Sequence, residues 1–316
     1  MKQAIDDGCV AFVNFIQAGQ AYPAIEKIKE ANLPIFLSYS SPETDLVPGF
    51  YDALFRSPSA GKLWDMSVFR YLNSQGVERF ASVRYKADYV IQGEKWFDYL
   101  SSTTPGWQTQ RVAQIWFEWG TQDITAEITK AVATNPEWIY MEAYDGTTAF
   151  PAIQRAIELG YTGKFELGFT ALDFGPDRIC SQCEDLCSDR VFSATDWWPD
   201  PDLPATVAWY NAYNDYASRH NINLPAGGDV AGGYVDVKSI CLAMDKAGTD
   251  KDTAKIAAAV RSLDYITPYG VKHEVLPTGN LYCPYIYIVG CHNGQTVIID
   301  KVPLTREDYG PPYTAP

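Results

Sequence analysis

Residues 135–169 run NPEWIYMEAYDGTTAFPAIQRAIELGYTGKFELGF, and two changes of period inside them decide the architecture. Trp138–Ala143 opens with apolar residues on successive positions, as a strand buried on both faces does. From Thr147 to Leu159 the apolar residues Phe150, Ile153 and Ile157 recur at helical spacing. Gly160 then stands where a left-handed helix stop is wanted. A second β-rich run, Phe165–Phe169, follows. Strand, helix and strand in this order give parallel strands joined through a crossover helix.

The alternation extends in both directions. Further strands are expected at Cys9–Phe15, Pro34–Ser38, Arg79–Tyr85, Gln110–Phe117 and Val191–Ala194. A helix over Tyr22–Ala31 follows the turn Gly19-Gln20-Ala21, with Pro23 near its start, where a missing N–H costs nothing. Asp202 is placed to cap a helix with Pro204 in its first turn and Trp209, Tyr213 and Tyr216 as its apolar stripe. Another helix carries Val237, Cys241 and Met244 and ends at Gly248; a third sets Ile256, Val260 and Leu263 on one face. After Tyr265 the pattern becomes all-β. Leu281–Gly290 and Thr296–Lys301 flank His292-Asn293-Gly294, and Asn-Gly is the strongest short hairpin signal. The tail from Tyr309 has no periodicity and is expected to be a strap or frayed end.

With 316 residues, 47% hydrophobic and 20% charged, the chain is long enough for two cores and too apolar for disorder. A net charge of −14 without a basic cluster argues against a nucleic-acid partner. No apolar run approaches the about 18 residues needed to span a bilayer. Met1-Lys2 leads into a polar helical stretch, not an apolar leader core. Twenty-one Tyr and nine Trp supply rings suited to gripping small organic molecules. Cys180, Cys183 and Cys187 form a C-x2-C-x3-C cluster, with Cys9, Cys241, Cys283 and Cys291 scattered. Disulfides or plain thiols, a metal site and a redox-active pair are the alternatives there.

Seven motifs in order, Phe12–Pro23, Leu33–Ser41, Phe55–Ser57, Lys86–Tyr89, Gly120–Ile124, Asn135–Tyr140 and Ala156–Gly160, make the chain resemble the branched-chain amino-acid family of type I periplasmic solute-binding proteins of ABC transporters. The resemblance implies two α/β lobes, each a mainly parallel sheet flanked by helices, closing on a solute about a three-crossing hinge. Lobe I is expected to hold residues 1–83 and 201–265, lobe II residues 84–200 and 266–316, with crossings near Val83, Asp200 and Tyr265. The family opens with a strand, helix and strand ahead of the segment at Met1–Gly8, which reads as a helix end. A longer natural protein with an export signal is therefore expected, located in the periplasm or outside the cell.

In open α/β sheets ligands lie beyond the carboxyl ends of strands, and the family's contacts fall on the same loops. Ala18, Gly19 and Gln20 offer backbone N–H groups at a helix start, suited to an anion. Ser40 and Ser41 match positions that bond an amino-acid ligand, and Tyr89 and Tyr144 match rings that cover it. Where amino-acid binders of the family place a carboxylate for the ammonium, this chain has Phe169 and Thr170. Asp145 or Asp196 can substitute, or the solute is a flatter carboxylate or amide lying against Trp197 and Trp198. No phosphate-binding, dinucleotide or nucleophile-elbow motif occurs, and no cofactor or metal is implied. The chain is expected to be a binding protein, not an enzyme, that captures a small organic solute for an ABC permease. A sensor of the same fold and a cysteine-dependent metal or redox enzyme are the alternatives.

Overall fold

In the computed structural model, which describes residues 2–13, 25–37, 51–57, 61–142, 146–168 and 179–310, the strands fall into two sheets. β1 (Ile35–Leu37) and β2 (Leu54–Arg56) pair in parallel, and Phe12 adds a parallel bridge to Ile35. The larger sheet contains β3 (Arg79–Tyr85), β4 (Gln110–Phe117), β5 (Trp138–Met141), β6 (Lys164–Glu166), β7 (Val191–Thr195), β8 (Tyr285–His292) and β9 (Gln295–Pro303). Its order is β4-β3-β5-β6-β7-β8-β9, parallel through β7 and antiparallel after it.

Strand alternation splits the interior of the large sheet into two cores. Ala81 and Val83 of β3 and Ile139 and Met141 of β5 face one core, beneath α5 (Thr125–Val132), α6 (Gly146–Glu158) and α7 (Ile179–Cys187). Phe80, Trp138, Tyr140 and Phe192 face the other, beneath α3 (Gly61–Ser74) and α4 (Asp88–Thr103). Phe69 of α3 meets Phe80, Phe97 and Tyr140 at centroid distances of 5.2–5.7 Å, and full burial of such a side chain is worth about 1.5–3 kcal/mol. The edge strands β4 and β9 are partly exposed along most of their length and carry Gln110, Arg111, Asp300 and Lys301, charges and polar groups that discourage further pairing. At the hairpin, Asn293 and Gly294 both have positive φ, 50° and 73°, the primed turn that matches the strand twist.

The small sheet packs with α8 (Pro204–Arg219), α9 (Gly228–Ala247) and α10 (Thr253–Val260) around Phe36, Phe55, Val235, Ile256 and Val260. α1 (Lys2–Asp6) and a helix over 25–30 (α2) flank its outer side, where Ile25 and Ile28 are buried. Asp252 caps α10 by accepting from the Lys255 N–H at 3.1 Å, and Gly248 closes α9 with φ 64°.

Several expectations change. β3, expected to end the first lobe at Val83, is paired on both sides within the large sheet, and α3 packs there too. The first passage between the sheets therefore lies between Arg56 and Lys62. β2 was not singled out, because three residues of apolar-basic sequence are too short to show a period. Of the expected strand Cys9–Phe15, the described part forms one bridge at Phe12. Leu203, not Asp202, occupies the N-cap of α8; Asp202 meets Lys301 at 3.3 Å. Tyr216 is 50% exposed, although Trp209 and Tyr213 do stack, at 5.5 Å. In α9 the buried side is made of Ala231, Gly232, Val235, Ser239 and Ala243, while Val237 and Cys241 face out. Small residues let this helix sit close; of its larger apolar residues Val235 and Ile240 turn inward, whereas Val237 does not.

Candidate functional site

Two polar assemblies lie at carboxyl ends of parallel strands, where α/β sheets bind ligands. On the α3/α4 side of the large sheet the side chains turn from apolar to charged along the strands. Phe80 and Trp138 are partners, Ser82 and Tyr140 follow, and Arg84 and Glu142 stand at the end. Arg84 donates from Nε and Nη2 to Glu142 Oε2 at 2.8 and 2.6 Å. Its Nη1 lies 2.7 Å from Asp65 Oδ1 and 3.4 Å from Glu94 Oε1. Tyr140 donates to Asp65 at 2.6 Å, Ser82 donates to Glu94, and Arg111 meets Glu94 Oε2 at 2.8 Å. A Cβ on Gly93 would fall inside the Asp65 carboxyl, so glycine is what lets α4 approach. Burial pushes Asp65 up to about 7 against the pull of Arg84, and burial likewise raises Glu166, whose carboxyl accepts from the Ala194 N–H at 3.1 Å.

The second assembly joins the two sheets. Ser57 follows β2, Asp196 follows β7, Tyr269 lies on the passage from α10 to β8, and Asp229 stands in the first turn of α9. Tyr269 donates, at a long 3.4 Å, to Asp196 Oδ2 and lies 3.5 Å from the Gly228 carbonyl. The Ser57 and Tyr269 hydroxyls each lie 3.4 Å from the point a Cβ on Gly232 would occupy, so both converge on one face of α9. Ser57 Oγ is buried without a hydrogen-bond partner. Burial, and secondarily the Asp196 charge, push the Asp229 carboxyl up to about 7. Nearby, the Trp197 indole donates to the Pro268 carbonyl at 2.8 Å, and the buried Asp200 is held by Lys301 at 2.5 Å and by the Tyr287 hydroxyl at 3.1 Å.

Of the site residues expected from sequence, Ala18, Gly19, Gln20, Ser40, Ser41, Tyr144, Asp145, Phe169 and Thr170 lie outside the described residues. Tyr89 is in the first turn of α4, and its side chain is likewise outside the description. Asp196 and Trp197 are both buried at the junction. Trp197 packs edge-on against Trp209 at 5.0 Å, among core residues of the α8–α10 side; Trp198 packs at the edge of the opposite core, that of α5–α7. Sequence reasoning passed over Asp229 and Tyr269, and took Ser57 only as the end of a motif. Nothing local marks them, since their meeting depends on three separate passages of the chain.

The cysteine cluster forms disulfides, Cys180–Cys291 between α7 and β8 and Cys183–Cys187 within α7, while Cys9, Cys241 and Cys283 are free thiols. Among the described residues no group of three or more His, Cys, Asp or Glu is arranged to hold a metal ion, and no described helix is long and apolar enough to cross a membrane.

The family model described as periplasmic binding protein matches residues 1–289. No curated protein matches the chain significantly in sequence. Solved structures are similar at low identity. A leucine binding protein from Thermotoga maritima is 18% identical, with a TM-score of 0.73 over 96% of this chain and 82% of its own. A branched-chain amino acid ABC transporter periplasmic ligand-binding protein from Burkholderia xenovorans is 16% identical, with a TM-score of 0.79 over 98% and 81%. A solute binding protein of an ABC transporter from R. palustris, in complex with benzoate, is 13% identical, with a TM-score of 0.77 over 96% and 80%.

Proposed function

The chain belongs to the periplasmic binding protein family, and from that premise we propose that it captures a small organic solute between its two sheets and delivers it to an ABC permease, without catalysing a reaction. The observation that carries this reading is the meeting, at one junction, of the carboxyl ends of β2 and β7 with the start of α9, where buried polar groups collect. Two α/β bodies whose ligand-facing edges oppose each other can close on a solute, with the passages near Ser57, Asp200 and Tyr269 as the hinge. The solute is an amino acid or a related carboxylate or amide. The loops at Ala18–Gln20, Ser40–Ser41, Tyr89, Tyr144–Asp145, Phe169–Thr170 and Asp196 supply its contacts. Disulfides fit an oxidising compartment, hence a place outside the cytoplasm.

The test is a thermal-shift screen of amino acids, amides and aromatic acids, followed by calorimetry. Saturable one-to-one binding of at least one such solute, with no turnover of it on prolonged incubation, is expected. Failure of every class to bind would overturn the reading.

A further inference from the structure

The junction contains two polar groups whose demands the protein leaves unmet. Asp229 has no hydrogen-bond or ion-pair partner among the described residues, although it is half-buried and close enough to Asp196 to feel its charge. Ser57 is 3% exposed, and its buried Oγ is likewise unpartnered. It is aimed at the same face of α9, since Ser57 and Tyr269 both touch the empty Cβ position of Gly232, one turn on from Asp229. An acid at a helix start is ordinarily solvated and favoured by the helix dipole. Here burial and a second carboxylate outweigh that, which leaves acceptors in want of a cation.

We propose that Asp229, with Ser57, Tyr269 and Asp196 around it, forms a subsite for a protonated nitrogen of the bound solute. The chemistry follows from the donor count. An ammonium brings three N–H donors and no acceptor. The Asp229 carboxylate takes one in a charge-assisted bond, the Ser57 hydroxyl oxygen takes another, and Asp196 or the Tyr269 oxygen takes the third. A carboxylate or an uncharged amide oxygen in the same place would set acceptor against acceptor. The subsite is fed from both bodies, Ser57 and Asp229 from the α8–α10 side and Asp196 from β7, so a cation held there is also a tie between them. It supplies a counter-charge other than the position at Phe169-Thr170 where the sequence lacks one. The inference rests on the solute-binding reading and adds the class of solute, one carrying an ammonium whether or not it carries a carboxylate.

Calorimetry with two sets of three probes tests it on the whole chain: L-leucine, 3-methylbutylamine and 4-methylpentanoate, then L-phenylalanine, 2-phenylethylamine and 3-phenylpropanoate. In at least one set the two amines should bind, and the amine without carboxylate should bind about tenfold or more tighter than the acid without amine, as a charge-assisted pair requires. Asp229→Asn should shrink that preference to about threefold or less, and Ser57→Ala should weaken the amines and spare the acid. Thermal melts of both variants separate a lost subsite from a lost fold. Acids binding as well as amines, or an Asp229→Asn variant that keeps the preference, would overturn the subsite. If the six probes fail while an amine-free solute binds in the wider screen, the subsite falls and the solute-binding reading stands; if nothing binds, both fall.

Discussion

The two buried acid clusters differ in how completely the protein answers them. Around Arg84 the guanidinium engages Glu142, Asp65 and Glu94, while Tyr140, Ser82 and Arg111 fill remaining positions. At the junction, Asp229 and Ser57 are left over. A satisfied network rigidifies the sheet edge it occupies; an unsatisfied one costs stability that a ligand can return. On the proposed reading the difference separates a scaffold from a binding site more clearly than burial or charge does, since both clusters are buried and acidic.

The comparison breaks most readily at Arg84. Arg84→Met should cost about 3–5 kcal/mol in urea unfolding, because it strands several buried carboxyls without their cation. A loss below about 1 kcal/mol would mean that the network is no scaffold. Next in size is the clamp on the other face of the same sheet. Replacing Cys180 and Cys291 together by Ala opens a link between positions 111 residues apart and should cost about 2–4 kcal/mol. Solute affinity should change less than stability, because α7 and β8 are joined away from the junction.

Two serines sharpen the contrast with the same substitution. Ser82→Ala removes a donor from the buried Glu94 and should cost about 1.5–3 kcal/mol, the worth of a hydrogen bond to a charged group. Ser57→Ala removes a hydroxyl that has no partner and should leave the ligand-free protein within about 0.5 kcal/mol of wild type. Equal losses in paired urea melts would erase the distinction between the clusters.

How much of this was legible in sequence follows from the range of the interactions. β3 and β4 emerge with the bounds expected, because Arg79–Tyr85 and Gln110–Phe117 carry their own β-rich signal. The helix expected over Thr147–Leu159 is displaced by a single residue, to Gly146–Glu158. The hairpin turn was fixed by Asn293-Gly294, the two residues that accept positive φ. The first passage between sheets was misplaced because β3 looks the same in either body; only its pairing with β4 and β5 assigns it. Asp196 was singled out in sequence because it follows a strand. Asp229 was not, since an acid in the first turn of a helix is unremarkable until Asp196 is brought beside it from the end of β7.

The smallest effect isolates Asp229 itself. Its carboxyl is raised from 3.8 to about 7 by burial and then by Asp196, with the Tyr269 hydroxyl, the Cys283 thiol and Asp236 as further titratable groups of the cluster. A carboxyl whose folded pKa exceeds its unfolded value stabilises the fold most fully below the unfolded pKa. That contribution is lost as pH rises through the folded value. At pH 8 the wild-type carboxylate is charged and penalised, whereas Asn cannot ionise; once protonated in both the folded and the unfolded state, the acid and Asn are near equivalents. Asp229→Asn should therefore be more stable than wild type by about 1 kcal/mol at pH 8, discounted from the full shift for partial solvation. The difference should narrow as pH falls through about 7 and close only below the unfolded value of 3.8. Asp65, raised by burial in the other cluster, stays constant across this pair and drops out of the difference. Saturating 3-methylbutylamine should reverse the order at pH 8, since a bound ammonium turns the penalty on Asp229 into an attraction only the wild type can use. A stability difference that does not vary with pH would show that Asp229 is an ordinary solvated helix-start acid, and the contrast between the two clusters would then rest on Ser57 alone.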